Sequence, residues 1–159
     1  MTTTWRDLER RPANEVVFAH WDRPEHTWPT DPPGTQRDPY LHAGSHPDCV
    51  ERVWDGLGST LPEDCRFLVL GRPVLAHPVS GAVFAMPYGT SYAIRIPGPQ
   101  HADATAAGLM STTTWSGGSV TDLEDEFGAG WFFGRFVDDE AAWITAAYAA
   151  AATPASRPW

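Results

Sequence analysis

The chain has 159 residues, of which 42% are hydrophobic, so it can bury a core without needing a metal ion or a disulfide. Its formal net charge of −9 argues against nonspecific binding to nucleic acid or to an anionic membrane surface. Every basic residue is arginine, which excludes mechanisms that need a lysine amine, such as a Schiff base or a P-loop phosphate clamp.

Residues 1–44 are rich in proline and tryptophan. Proline fixes φ and lacks an N–H, so residues 23–40 should be extended or turn-like. Exposed tryptophan is unfavourable, and we therefore expect residues 1–44 to form an arm packed on the domain. Within it, residues 15–20 are predicted to be a short strand.

A single domain is predicted over residues 45–152, followed by a tail at 153–159. Its first element is an amphipathic helix, because four apolar residues follow the i, i+3, i+4, i+7 pattern. These residues are Val50, Val53, Trp54 and Leu57. Short apolar runs separated by glycine and proline turns then predict an antiparallel meander between residues 66 and 96.

The last third of the domain is predicted to be mainly helical. Helices are expected over residues 100–108, from Thr121 to Phe127, and from Asp138 to a stop before Pro154. The predicted fold is therefore α+β, with helices on one face of a mainly antiparallel sheet of three to five strands.

Histidine and cysteine cluster around the start of the first helix, at His42, His46 and Cys49, with Cys65 further along. Imidazole and thiolate are zinc ligands, but their spacing matches no standard zinc pattern. The same group could provide a thiol nucleophile with a histidine base. Both remain alternatives to a structural interpretation, in which the thiols are buried, reduced and metal-free. No cofactor is expected.

Two other segments carry polar groups that could act chemically. Residues 77–81 contain His77 and Ser80 but lack the G-x-S-x-G elbow, so a hairpin turn is the favoured interpretation. Tyr92 and Arg95 could line a pocket for an anionic ligand, or could belong to an ordinary half-buried strand.

The strongest regional bias is acidic: residues 119–140 hold seven acidic residues and one arginine. We predict that this segment binds a protein partner, with two aromatic residues as anchors and the acids as a rim. The predicted partner-binding residues are Asp122, Glu124, Asp125, Glu126, Trp131, Phe133, Asp138, Asp139 and Glu140.

Residues 57–62, a helix end followed by Leu61-Pro62 before a strand, resemble the corresponding part of immunity-type proteins. The similarity is short and carries over no individual residue. The predicted function is a non-catalytic, partner-binding protein of bacterial type: an adaptor, an inhibitor or an immunity-like protein. The alternative is a small enzyme or a ligand- or metal-binding protein. The N-terminus carries no apolar signal segment, so a cytoplasmic location is expected, with a basic protein surface as the partner and neither nucleic acid nor membrane.

Overall fold

The computed structural model describes residues 4–21, 38–41, 44–114, 118, 120–136 and 140–152. The middle part of the predicted proline-rich arm, residues 22–37, and the predicted tail, residues 153–159, lie outside these residues. Their predicted roles therefore stay predictions.

The described strands are β1 Arg66–Val69, β2 Arg72–Ala76, β3 Val83–Tyr88, β4 Ser91–Arg95, β5 Thr112–Thr114, β6 Val120–Asp122 and β7 Trp131–Phe133. A five-stranded antiparallel sheet with the order β1-β2-β3-β4-β7 forms the centre of the fold, and β5 and β6 form a separate antiparallel pair. The five-stranded sheet and the β5–β6 pair are linked through Met110, which pairs with Phe133 on the edge of β7 that faces away from β4. The predicted meander is confirmed.

Six α-helices surround the sheet in the part of the chain that the structure describes. They are α1 Trp5–Glu9, α2 Glu15–Trp21, α3 Pro47–Cys49, α4 His101–Ala106, α5 Leu123–Phe127 and α6 Glu140–Ala151. The α3 helix continues as a π-helix over Val50–Leu57. None of these described helices has the length and apolar character needed to cross a bilayer.

The α+β class is confirmed, but helices cover both faces of the sheet and not one. The reason is that neighbouring strand residues are both apolar: Val74 and Leu75 of β2 are fully buried on opposite faces. The face that carries Leu75, here the first face, packs against the π-helix and α6. The face that carries Val74, here the second face, packs against α1, α2 and α5. Two hydrophobic cores result: the first core lies on the first face of the sheet, and the second core lies on the second face.

Residues 15–20 belong to α2, so the predicted strand there is wrong. Two adjacent valines favour a strand locally. The buried residues, however, are Asn14, Val17, Phe18, His20 and Trp21. Four of them, Asn14, Val17, Phe18 and Trp21, follow the i, i+3, i+4, i+7 pattern of a helix. Packing against the second face of the sheet therefore decides the local structure.

The amphipathic helix predicted at the start of the domain is confirmed, and so is the face that it buries. Val50 and Val53 are fully buried, while Trp54 is half-buried and donates its indole N–H to the Val74 carbonyl at 3.1 Å. The wider π-helical turn is visible at the helix end, where the Gly58 N–H reaches the Val53 carbonyl five residues back.

Strands β2 and β3 stop pairing at Leu75 and Ala85. If this register continued, Pro73 would lie opposite Pro87, at a position where each residue should donate its N–H to the other. Neither proline has an N–H, so the ladder ends there. Arg72 and Tyr88 are the next residues beyond this break.

Candidate functional site

The acidic element consists of β6 and α5, and its first carboxylate has a structural role. Asp122 is the N-cap of α5, and its Oδ1 accepts hydrogen bonds from the Glu124 N–H at 2.9 Å and the Asp125 N–H at 3.4 Å. The sequence pattern predicts that this helix begins at Thr121, whereas its first residue is Leu123. Gly128, at φ +102°, ends the helix as predicted.

Glu126, on the inner side of α5, contacts a buried histidine of α2. Its Oε2 lies against Nδ1 of His20, whose side chain is 4% exposed. The imidazole of His20 also packs edge-on against Phe127, with ring centroids 4.8 Å apart. Glu126 therefore fixes α5 against α2, and its carboxylate contributes less to the surface than its position in the sequence suggests.

Glu124 and Asp125 are exposed on α5. Oε1 of Glu124 accepts a long hydrogen bond of 3.3 Å from the Gly130 N–H. These two residues are the carboxylates of the α5 segment that face solvent most openly. As partner-binding residues they stay a prediction.

The two aromatic residues predicted as anchors are core residues. Trp131 is 0% exposed and Phe133 is 6% exposed, and both pack on the second face of the sheet. Side chains this buried offer no surface to a partner. The exposed apolar side chains near the acids are instead Val120, at 66% exposed, and Met110, at 52%.

The remaining predicted acids are Asp138, Asp139 and Glu140, of which only Glu140 belongs to the described part of α6. Asp138 and Asp139 are outside the described residues. Glu140 forms an ion pair with Arg52 of the π-helix, and the Arg52 guanidinium also lies over the Phe136 ring, 4.2 Å from its centroid. Glu140 thus joins two elements on the first face, away from α5.

The structure does not gather the predicted histidine and cysteine cluster. His46 is the N-cap of α3 and its Nδ1 accepts from the Asp48 N–H at 3.2 Å, whereas Cys65 is buried in the first core. His42 lies outside the described residues. Within the described residues, no three His, Cys, Asp or Glu side chains form a group that could hold a metal ion.

Both cysteines are free, buried thiols. Burial, with Asp48 nearby, raises the pKa of Cys49, which is the opposite of what an activated nucleophile needs. Burial and the neighbouring carboxylates of Glu63 and Asp64 raise the pKa of Cys65 to about 12. Neither thiol is activated for attack in this arrangement.

The raised pKa of Cys65 predicts a loss of stability in alkaline solution. Above pH 9 the unfolded thiol ionises while the folded thiol keeps its proton until pH approaches about 12, so unfolding becomes more favourable as pH rises. Urea unfolding at pH 8 and pH 10.5 should show that this fall is smaller in Cys65→Val, by up to about 1.4 kcal/mol per pH unit. Equal pH dependence in both proteins would contradict the assignment.

Tyr92 and Arg95 cannot line one pocket, because they lie on opposite faces of β4. Tyr92 is fully buried in the first core. Arg95 pairs in register with Trp131, which belongs to the second core, and its Nη1 donates to the Ala13 carbonyl at 3.2 Å. The pocket alternative at these two residues is therefore not supported by their geometry.

His77 and Ser80 form a turn, as the favoured interpretation predicted. Nδ1 of His77 accepts from the Val79 and Ser80 N–H groups at 3.2 and 3.4 Å, and the Ser80 hydroxyl donates to the Ala151 carbonyl at 2.6 Å. Nε2 of His77 lies 3.3 Å from Oε2 of Glu63, which also accepts from the Tyr148 hydroxyl at 2.9 Å. These contacts join the hairpin to α6.

A half-buried pair of polar side chains on the second face, Arg72 and Tyr88, was not predicted from the sequence. It lies where β2 and β3 stop pairing. Burial lowers the pKa of Arg72 to about 10, and the Arg72 guanidinium lies 5.8 Å from the Trp21 ring centroid. Burial and the nearby Glu126 raise the pKa of Tyr88. The pair of prolines at 73 and 87 is the sequence signal for this break in the ladder.

No family model matches the chain, and no curated protein or solved structure matches it either.

Proposed function

We propose that this chain is a non-catalytic, partner-binding protein of bacterial type, acting as an adaptor, an inhibitor or an immunity-like protein. Its binding surface consists of β6 and α5, and its partner presents a basic surface. The observation that carries the proposal is that the exposed carboxylates of Glu124 and Asp125 lie close in sequence to the exposed Val120. Carboxylates around an apolar patch are typical of a polar rim around an interface centre.

The segment that forms this surface carries charge of one sign. The chain contains no lysine, and no arginine occurs between Arg95 and Arg135. Asp122, Glu124 and Asp125 lie within that stretch. Negative charge exposed on a binding surface accelerates the encounter with a positively charged partner.

Several of the described side chains that could perform chemistry are engaged in structural bonds, which supports a binding role. His46 caps a helix, His77 holds a turn, and the Ser80 hydroxyl is bonded to the end of α6. The Cys65 thiol lies 3.4 Å from the Glu63 carbonyl, to which it donates.

The proposal is tested by removing the two exposed charges. Glu124→Gln with Asp125→Asn keeps the acceptor that Glu124 offers to the Gly130 N–H and removes two negative charges. A control protein with Glu51→Gln and Asp103→Asn loses the same charge at two other exposed sites. For a basic protein captured by the wild type, we expect the first variant to associate about threefold to tenfold more slowly at low salt.

The control should associate at nearly the wild-type rate, and both variants should melt like the wild type. Raising the salt should slow wild-type association over the physiological range, where the Debye length is about 8 Å. Equal slowing by both variants would show that only total charge matters, and unchanged rates in the α5 variant would refute this surface.

A further inference from the structure

We infer that the partner binds with an extended, basic segment that adds a strand to the outer edge of β6. This inference rests on the proposed function and specifies the kind of partner that the acidic surface takes. It depends on which backbone groups of β6 point away from β5, and on the side chains that accompany them.

The register of the β5–β6 pair determines the direction of these backbone groups. Thr112 pairs with Asp122 and Thr114 pairs with Val120. The Leu123 N–H donates to the Ser111 carbonyl at 2.9 Å, so positions 111 and 123 form a hydrogen-bonded pair. Because such pairs alternate along an antiparallel ladder, Val120 and Asp122 belong to non-bonded pairs. Their backbone N–H groups therefore point outward.

Within the described residues, β6 pairs with a strand on one side only. An outward row of N–H and C=O groups is a template for another strand. The three-residue length of β6 limits the number of main-chain bonds, so affinity requires side chains as well. Val120 offers an apolar contact, and Glu124 and Asp125 offer charge beyond the end of the strand. These features fit a segment that alternates apolar and basic residues.

A synthetic eight-residue peptide of alternating valine and lysine, blocked at both ends, is a suitable probe. The control is the same peptide with methyl groups on the backbone nitrogens of alternate residues, which keeps every side chain and charge but prevents strand pairing. Binding is measured by fluorescence anisotropy at low salt. We expect the methylated peptide to bind the wild type at least tenfold more weakly.

Val120→Pro removes the outward N–H without removing a bond to β5, and proline is tolerated at the first residue of an edge strand. Val120→Thr keeps the N–H and the β-branched shape. We expect the proline variant to lose at least tenfold in affinity for the unmethylated peptide and the threonine variant to lose less than threefold. In the wild type, the bound peptide should slow amide hydrogen exchange at Val120 and Asp122 at least tenfold.

The outcomes separate this inference from the proposed function. If both peptides bind equally and exchange at Val120 and Asp122 is unchanged, strand addition is wrong. The acidic surface would still stand if the Glu124→Gln, Asp125→Asn protein binds both peptides more weakly. If neither peptide binds the wild type, strand addition is overturned and the acidic surface loses support with it.

Discussion

The Gly134→Ala variant should lose about 3 kcal/mol or more of folding stability, at the upper end of overpacking effects. A Cβ atom at position 134 would lie far inside contact distance of the Tyr92 ring carbons. The ring has nowhere to move, because Tyr92 is fully buried, its hydroxyl donates to the Arg135 carbonyl at 3.2 Å, and Phe136 packs at a centroid distance of 5.3 Å. Thermal and urea unfolding measure the loss, which should lower Tm by roughly 6–12 °C.

Gly98→Ala is the matched control, since nothing lies within 4 Å of the Cβ that it would add. It should change stability little. The clash itself is tested by the double variant Gly134→Ala with Tyr92→Leu, in which the ring is absent. If the steric explanation is correct, the two substitutions are strongly non-additive, and the double variant is destabilised by less than the sum of the single changes. Strict additivity would refute it.

Turn chemistry made the meander predictable. Gly71, Gly81 and Gly89 all have positive φ, as hairpin turns require, and they separate the strands that the apolar runs indicate. The buried side of α6 was also predictable, since its buried residues Ile144, Ala147 and Ala151 recur at helical spacing. Both depend on local patterns that a single sequence contains.

Long-range packing decides which face of the sheet each helix covers and whether an aromatic side chain is buried or exposed. No local sequence pattern contains this information. Residues 131–133 are consecutive aromatics, and the sequence cannot state whether they form a core strand or an exposed patch. Pairing with β4 buries them. The exposed apolar side chains near the acids are instead Met110 and Val120, which no pattern in the sequence distinguishes. The His20–Glu126 contact likewise joins residues far apart in the chain.

The N-terminal helices depend on Asn14, the only asparagine in the chain, and Asn14→Leu should cost about 3–5 kcal/mol. Asn14 is fully buried. Its Nδ2 donates to the Leu8 carbonyl at 2.8 Å and to the Gly81 carbonyl at 2.7 Å, and its Oδ1 accepts from the Val83 N–H at 2.8 Å. One amide therefore joins α1 to the start of β3. Leucine has a similar volume but leaves all three backbone groups without their partner.

Asn14→Asp separates hydrogen bonding from packing, because it exchanges a single NH₂ group for oxygen. The retained oxygen can still accept from the Val83 N–H, but the other would face two carbonyl oxygens in place of donating to them. We therefore expect it to destabilise the protein about as much as Asn14→Leu at pH 7, whereas Glu15→Ala, at the exposed neighbouring position, should have little effect. Hydrogen exchange should accelerate first in α1 and α2, the elements that Asn14 fastens to the sheet. If amide hydrogens of α1 and α2 exchange at the wild-type rate in both Asn14 variants, apolar packing alone holds these helices in place.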